Sequence, residues 1–212
     1  MKPCVAAGSE RRRWGVLGGT FDPPHYGHLR LAEVAAEQLG LERVLFVPNH
    51  CPPHKPPAEV SPAEHRAVMT ELACAEHPRL WVSRLELERP GPSYSIDTLR
   101  ELRRCAGEQA ELFFLVGLDS ALELPTWREP EAILGEATVV AAPRAGCDWA
   151  ALPEAIGRQW AARVRRLEMP PVEVSSTQVR ELLATGRSAR YLLPPAVEAY
   201  ARKHELYHKE PS

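Results

Sequence analysis

Short runs rich in apolar residues, four of them followed within two residues by glycine or proline, are the most regular feature of this chain. They predict strands at 14–17, 44–47, 80–82, 112–116, 138–141 and 172–174. The first run is closed by Gly18-Gly19 and the second by Pro48, residue types that interrupt strands. Runs that are apolar at nearly every position are typical of strands buried on both faces of a sheet.

Segments with apolar residues at helical spacing lie between these runs. They predict helices at 28–39, 63–75, 96–105, 176–185 and 195–204. Strands and helices therefore alternate as in βαβ units, which favours a parallel sheet. The expected fold class is α/β, a Rossmann-like doubly wound parallel sheet with helices on both faces and a small C-terminal helical part.

Composition changes this picture little. The chain has 212 residues, a formal net charge of -2 and five cysteines, none of them at C-x-x-C spacing. We expect one domain at 11–212 after a loose tail at 1–10, with no membrane span, no structural zinc and no nucleic-acid partner. Reduced thiols and the lack of a signal-peptide pattern favour the cytoplasm. The oligomeric state is not indicated.

The first loop, GGTFDPPHYGH at 18–28, is the first candidate for chemistry. Its glycine pair lets the backbone approach a ligand, and the N–H groups of the next helix favour anions. His25 and His28 are three residues apart, so they share one face of the helix start. Two imidazoles there can donate hydrogen bonds to phosphate oxygens.

Other interpretations of this loop stay open on the residues alone. It could be a tight turn with two surface histidines, or part of a metal site that also uses His50, His54 and His65. A dinucleotide dehydrogenase fits poorly, because the glycines do not follow G-x-G-x-x-G and no acidic residue follows the second strand. There is also no G-x-x-x-x-G-K-[ST] loop.

The last motif, VSSTQVR at 174–180, resembles a capping box. Ser175 and Gln178 form S-x-x-Q, Ser176 and Thr177 fall in the first helical turn, and Arg180 follows one turn later. Hydroxyls, N–H groups and a guanidinium can converge there on an anion. The alternative is an ordinary capped helix with a surface arginine.

Three middle segments follow other strands. Lys55, in PNHCPPHK at 48–55, is a point charge suited to polyphosphate, or else a solvated lysine. In PSYSIDTL at 92–99, Ser93 or Ser95 can cap a helix. In LVGLDSALELPTWREP at 115–130, Asp119 suits a ribose or a metal-bound water, and Trp127 offers a flat face to an aromatic ring or belongs to the core.

Together these motifs resemble the HxGH nucleotidyltransferases, and more narrowly the bacterial nicotinate-nucleotide adenylyltransferase family. The resemblance runs from about Trp14 to Tyr207. Pro24 stands where the family usually has an aliphatic residue, and Ser95 where it prefers threonine. The resemblance implies an enzyme of NAD biosynthesis that joins ATP and nicotinate mononucleotide to give deamido-NAD and pyrophosphate, with Mg²⁺ carried by the ATP phosphates and no protein metal site.

The resemblance also implies roles for particular residues. The catalytic residues would be His25, His28 and Arg180. The ATP-binding residues would be Gly18, Gly19, Thr20, Phe21, Lys55, Ser175, Ser176 and Thr177. The mononucleotide-binding residues would be Tyr94, Ser95, Asp119, Trp127 and Arg144. Rival interpretations are another acceptor on the same fold, nicotinamide mononucleotide or phosphopantetheine, and a non-catalytic nucleotide sensor.

Overall fold

The computed structural model describes residues 12–52, 56, 59–107 and 109–207. The predicted tail at 1–10 and the predicted ATP contact Lys55 lie outside these residues, so both stay predictions.

One parallel sheet organises the described chain. Its strands are β1 (Arg13–Gly19), β2 (Arg43–Pro48), β3 (Leu80–Val82), β4 (Glu111–Gly117), β5 (Thr138–Ala142) and β6 (Val164–Arg166). Their order across the sheet is β3-β2-β1-β4-β5-β6, and every neighbouring pair is parallel. The order reverses between β1 and β4, which leaves a crevice outside the carboxyl ends of these two strands.

Helices cover both faces of the sheet, as predicted. They are α1 (Tyr26–Gln38), α2 (Ala63–Cys74), α3 (Ser95–Ala106), α4 (Leu118–Leu122), α5 (Pro130–Glu136), α6 (Leu152–Ile156), α7 (Arg158–Ala161), α8 (Ser176–Ala184) and α9 (Pro195–Lys203). Leu17 of β1 packs with α1, whereas its neighbour Val16 packs with α3 on the opposite face. This alternation follows from the pleat of a strand. In the described chain no helix combines the length and apolar character that crossing a membrane requires.

The C-terminal helices form the expected separate part. Their apolar faces build a third core cluster on α2, in which Met69 meets Val179 of α8 and Val197 of α9. Helix α2 thus connects the C-terminal helices to the sheet, because its last residue, Cys74, belongs to the core under α1.

The predicted strand at 172–174 is wrong. The edge strand is β6, which the sequence analysis missed, and 172–174 has no regular structure. Only Val164 of β6 is buried, and its next two residues are exposed arginines, so the strand carries no apolar run. Val174 instead packs beside the C-terminal cluster. The short helices α4 to α7 were also not predicted, since they span four to seven residues each.

Candidate active site

The loop between β1 and α1 is folded tightly at the crevice. A Cβ at Gly18 would meet no atom within 4 Å, so the space beside this residue is open to a ligand. A Cβ at Gly19 would lie 3.1 Å from the Phe21 ring. That ring is buried against Phe46, with centroids 5.4 Å apart. Any contact of Phe21 with a nucleotide would therefore come from its backbone.

His25 and His28 form a stacked pair at the start of α1. Their ring centroids lie 3.8 Å apart, which agrees with the predicted shared face. The backbone N–H of His25 donates to Nδ1 of His28 at 3.2 Å. Because Nδ1 accepts, the neutral His28 ring carries its proton on Nε2 and can donate from there.

Both imidazoles are neutral at neutral pH. Burial, with a smaller contribution from the Arg144 charge, lowers the pKa of His25 to about 4. Burial also holds the pKa of His28 well below its usual value, helped by His25 and Arg144. Within the described chain, Nδ1 of His25 is buried without a hydrogen-bond partner. A buried polar atom of this kind marks a place where a ligand could supply the missing bond.

We expect His25 to reduce stability as the pH falls. Its pKa drops from an ordinary 6.5 to about 4 on folding, so between these values the unfolded chain binds a proton that the folded chain does not. The contribution of neutral His25 to the free energy of unfolding is fully present above pH 6.5. It is lost as the pH falls towards 4, with about 2 kcal/mol lost by pH 5. Urea unfolding at stepped pH should show a shallower dependence in His25→Asn, and equal slopes would contradict the assignment.

The VSSTQVR motif meets the first loop directly. Arg180 Nη1 donates to the carbonyl of Asp22 at 2.8 Å, and the Ser176 hydroxyl donates to the carbonyl of Pro23 at 2.9 Å. Two segments more than 150 positions apart are thus joined at the N-terminal ends of α1 and α8. Both helix ends carry partial positive charge, so the junction favours an anion.

The predicted serine cap of this helix is confirmed. Ser175 Oγ accepts from the backbone N–H of Gln178 at 3.1 Å. The Thr177 hydroxyl accepts from Arg180 Nη2 at 3.2 Å. The three hydroxyls of this motif, those of Ser175, Ser176 and Thr177, therefore also bond within the protein. The backbone N–H groups of the first helical turn have no intrahelical acceptor and are the better phosphate donors.

Sequence reasoning missed Arg66, which fixes the loops around the crevice. This arginine of α2 is 1% exposed. Its guanidinium donates to the carbonyls of Ser61 and Thr20, each at 2.8 Å, and of His50 at 3.1 Å, as well as to Oδ1 of Asn49 at 3.0 Å. A single arginine in an amphipathic helix resembles a surface residue, so the sequence carries no signal for this role.

Arg144 lies at the same crevice, after β5. Its Nε is 3.6 Å from Oδ2 of Asp119, which follows β4, and its Nη1 donates to the carbonyl of Val174 at 3.3 Å. Its charge also reaches both histidines. The structure thus brings two predicted mononucleotide contacts, Arg144 and Asp119, beside the predicted phosphate site.

Tyr94 and Trp127 lie on the α3 side of the sheet. Trp127 packs edge-on against Phe114, with centroids 5.7 Å apart, and is only partly buried. Tyr94 precedes α3, and the guanidinium of Arg128 lies 4.6 Å from its ring centroid. Arg128 was not predicted as a site residue. An arginine that follows a tryptophan in a loop is a common arrangement, so the sequence does not identify Arg128 as a site residue.

The predicted serine cap of α3 is wrong. The N-cap residue is Tyr94, with no capping hydrogen bond from its side chain, and Ser95 is the first helical residue. Ser93 Oγ instead accepts from the backbone N–H of His50 at 3.0 Å. The serine is used to tie the loop after β2 to the start of α3.

The two described histidines considered for a metal site, His50 and His65, contact other partners. His65 Nδ1 lies 2.9 Å from the Tyr200 hydroxyl, and His50 Nδ1 lies 3.3 Å from the carbonyl of Arg89. His54 lies outside the described residues. Over the part of the chain that the structure describes, no group of three or more His, Cys, Asp or Glu could hold a metal ion.

Comparison with known proteins agrees with this arrangement. A cytidylyltransferase-like family model matches residues 16–182. A probable nicotinate-nucleotide adenylyltransferase of Symbiobacterium thermophilum is 48% identical over 200 residues, which cover 92% of this chain and 95% of that protein. A protein of the same name from Thermus thermophilus is 51% identical over 197 residues, which cover 92% and 99% of the two chains.

A solved structure shows the same fold. Plasmodium falciparum nicotinic acid mononucleotide adenylyltransferase, complexed with NaAD, superposes with a TM-score of 0.75 at 17% identity, covering 93% of this chain and 98% of that one. The bacterial relatives are far more similar in sequence and match nearly the whole chain. This protein therefore belongs to the nicotinate-nucleotide adenylyltransferase family, within the cytidylyltransferase-like proteins.

Proposed function

We propose that the protein transfers the adenylyl group of ATP to the phosphate of nicotinate mononucleotide, giving deamido-NAD and pyrophosphate in NAD biosynthesis. The observation that carries this proposal is the bond from Arg180 to the carbonyl of Asp22, at 2.8 Å, which joins the two phosphate-binding motifs at one crevice. The names of relatives that are about half identical support the choice of substrates.

The chemistry needs no activated side chain, because the acceptor phosphate is already a nucleophile. Its oxygen attacks the α-phosphorus of ATP in line, the bond to the bridging oxygen breaks, and pyrophosphate leaves with the electron pair. Catalysis then consists of positioning and charge stabilisation. His28 offers its Nε2 proton, His25 lies stacked against it, and Arg180 supplies positive charge.

Mg²⁺ enters as part of the substrate in this proposal. It binds the phosphates of ATP, keeps several waters and needs few protein carboxylates. Asp119 lies at this edge of the sheet, where its carboxylate is half exposed and 3.6 Å from Arg144. This carboxylate is suited to a ribose hydroxyl or to a water of the ion. The enzyme would work in the cytoplasm as one domain spanning 11–212.

The acceptor would bind between the crevice and the start of α3. Trp127 would stack on the pyridine ring, and backbone N–H groups at Tyr94 and Ser95 would face the carboxylate. The Arg128 guanidinium over the Tyr94 ring adds a positive charge there. Its Nη1 lies 4.0 Å from Oδ2 of Asp97, too far for a strong ion pair that would neutralise this charge. A site of this kind would select the acid.

We expect the protein to use nicotinate mononucleotide roughly 10- to 100-fold better than the nicotinamide form. The amide would turn its NH₂ group towards a donor and leave that donor unpaired, at a cost of about 1–3 kcal/mol. Trp127→Ala should weaken both acceptors alike, since stacking does not distinguish them. Specificity constants for both acceptors in wild type and Trp127→Ala check this, and equal use by the wild type would reject acid selectivity.

Pyrophosphate release from ATP tests the proposed function itself. The assay compares nicotinate mononucleotide, nicotinamide mononucleotide and phosphopantetheine as acceptors. Release with the first and formation of deamido-NAD would support the proposal. Release only with phosphopantetheine would identify a different acceptor, and ATP binding without release would identify a nucleotide sensor.

A further inference from the structure

The C-terminal end of the described chain reaches the first loop. The Tyr207 hydroxyl donates to Oδ1 of Asp22 at 2.7 Å, across 185 positions of sequence. Oδ2 of the same carboxylate accepts from the backbone N–H of Ser61 at 3.0 Å. Asp22 is 4% exposed, so this carboxylate is satisfied by the protein rather than by water. It lies three positions before His25.

The Tyr207 hydroxyl is a reliable donor. Burial, and then the neighbouring Asp22 carboxylate, raises the pKa of Tyr207 well above its usual range, so the phenol stays protonated at any working pH. The backbone carbonyl of Asp22 is at the same time the acceptor of Arg180 Nη1. One loop residue thus connects the C-terminal segment, α8 and the histidine pair.

The packing of the C-terminal helices is apolar and does not involve the Tyr207 hydroxyl. Their cluster on α2 is apolar, and Tyr207 is one of the partly buried residues packed against it. The hydroxyl contributes its bond to the Asp22 carboxylate, an interaction with Ser61 and a weak contact of 3.9 Å with Met69 Sδ. The Tyr207 hydroxyl therefore affects the geometry of the first loop more than the packing of α9.

We propose that Tyr207 is a positioning residue for the adenylyl transfer, acting through Asp22. The bond fixes the loop from which His25 and His28 enter the crevice, and it keeps the Asp22 carbonyl where Arg180 binds it. The inference rests on the proposed function for its kinetic consequence. The loop geometry itself can be tested without turnover.

Tyr207→Phe is the test, and Tyr200→Phe is its matched control. Both variants remove one phenolic hydrogen bond between the C-terminal part and the rest of the protein. The Tyr200 hydroxyl bonds His65 Nδ1 at 2.9 Å, away from the loop. We expect Tyr207→Phe to lower kcat/KM for ATP by roughly 10-fold or more, because small displacements of reacting groups reduce rates strongly. The KM for the mononucleotide should change by no more than about twofold, and Tyr200→Phe should retain wild-type kinetics.

The histidine ring resonances in NMR give the second readout. In the protein without substrates, Tyr207→Phe should move the signals of His25 and His28, whereas Tyr200→Phe should move that of His65. If the wild type fails to release pyrophosphate from ATP and nicotinate mononucleotide, the proposed function is wrong, yet the resonances still decide whether Tyr207 positions the loop. Unmoved signals of His25 and His28 would overturn the proposal.

A double mutant separates positioning through Asp22 from loss of stability. If Tyr207 acts through that carboxylate, Tyr207→Phe should lower kcat/KM much less in an Asp22→Ala background than in the wild type. Equal losses in both backgrounds would show that the hydroxyl does not act through Asp22 and would reject the proposal. Equal kinetic losses in Tyr207→Phe and Tyr200→Phe would show a general effect on stability and would reject the positioning role.

Discussion

His28→Asn should lower turnover by about 10²–10⁴ and cost less stability than a change to alanine, because it removes the ring contacts with His25 and Phe21 but keeps one hydrogen bond. Asparagine places its Oδ1 close to the position of the imidazole Nδ1, so it can still accept the bond from the His25 backbone N–H. It cannot place a donor where Nε2–H lies. The expected loss of turnover is therefore that caused by removing one hydrogen-bond donor, which would stabilise the negative charge that develops on phosphate in the transition state. Steady-state turnover and thermal unfolding of the same preparation would show it.

Two further variants sharpen this result. His65→Asn is a matched control, because it makes the same change at a histidine whose Nδ1 lies beside Tyr200, and it should keep turnover. His25→Ala should lose turnover to the same extent, but it should also cost stability, since His25 is 3% exposed and its ring stacks on His28. Turnover near wild type in His28→Asn would remove the histidine pair from the phosphate site.

Arg180→Ala should lower kcat by about 10²–10³ and raise the KM for ATP more than that for the mononucleotide. The guanidinium is held in plane by bonds to Asp22 and Thr177, and a guanidinium has five N–H donors in all, so donors remain for a phosphate. Removing a fixed donor and its charge from a site of developing negative charge has a cost of this size. Initial rates with each substrate varied in turn would measure both constants.

Arg180→Lys separates charge from geometry. Lysine keeps the positive charge, but its ammonium group cannot hydrogen-bond the Asp22 carbonyl and a phosphate in one plane as a guanidinium can. The variant should therefore recover only part of the activity that Arg180→Ala loses. Arg202→Lys is the matched control, because Arg202 of α9 also donates to a backbone carbonyl, that of Arg187 at 3.1 Å, and is not a predicted site residue. An effect confined to the KM of the mononucleotide would mean that Arg180 belongs to the acceptor side.

Local sequence patterns were sufficient to predict the fold class and the main parts of the candidate site. Five of the six strands in the described chain were predicted from short apolar runs, because strands buried on both faces must be apolar nearly throughout. The histidine spacing, with His25 three residues before His28, and the Ser175 cap are local features, so their geometry followed from their own few residues. Relatives of about half identity agree with the family resemblance.

Some errors arose where a residue's partner is distant in the chain. The edge strand β6 has only one buried residue of three, so it shows no apolar run. Ser93 serves His50 instead of capping α3, because the loop after β2 passes beside it. The Phe21 ring packs against Phe46 of β2, so the predicted role of Phe21 in ATP binding would use its backbone.

Only the tertiary structure decided how the crevice is held together. Arg66 is buried and binds three carbonyls, and Tyr207 reaches a buried carboxylate across the whole chain. A local pattern predicts a side chain's neighbours within about one helical turn, but not which distant backbone groups need a donor once they are removed from water. The chemistry of the site can therefore be predicted from its motifs, whereas the residues that position it appear only when the chain is folded.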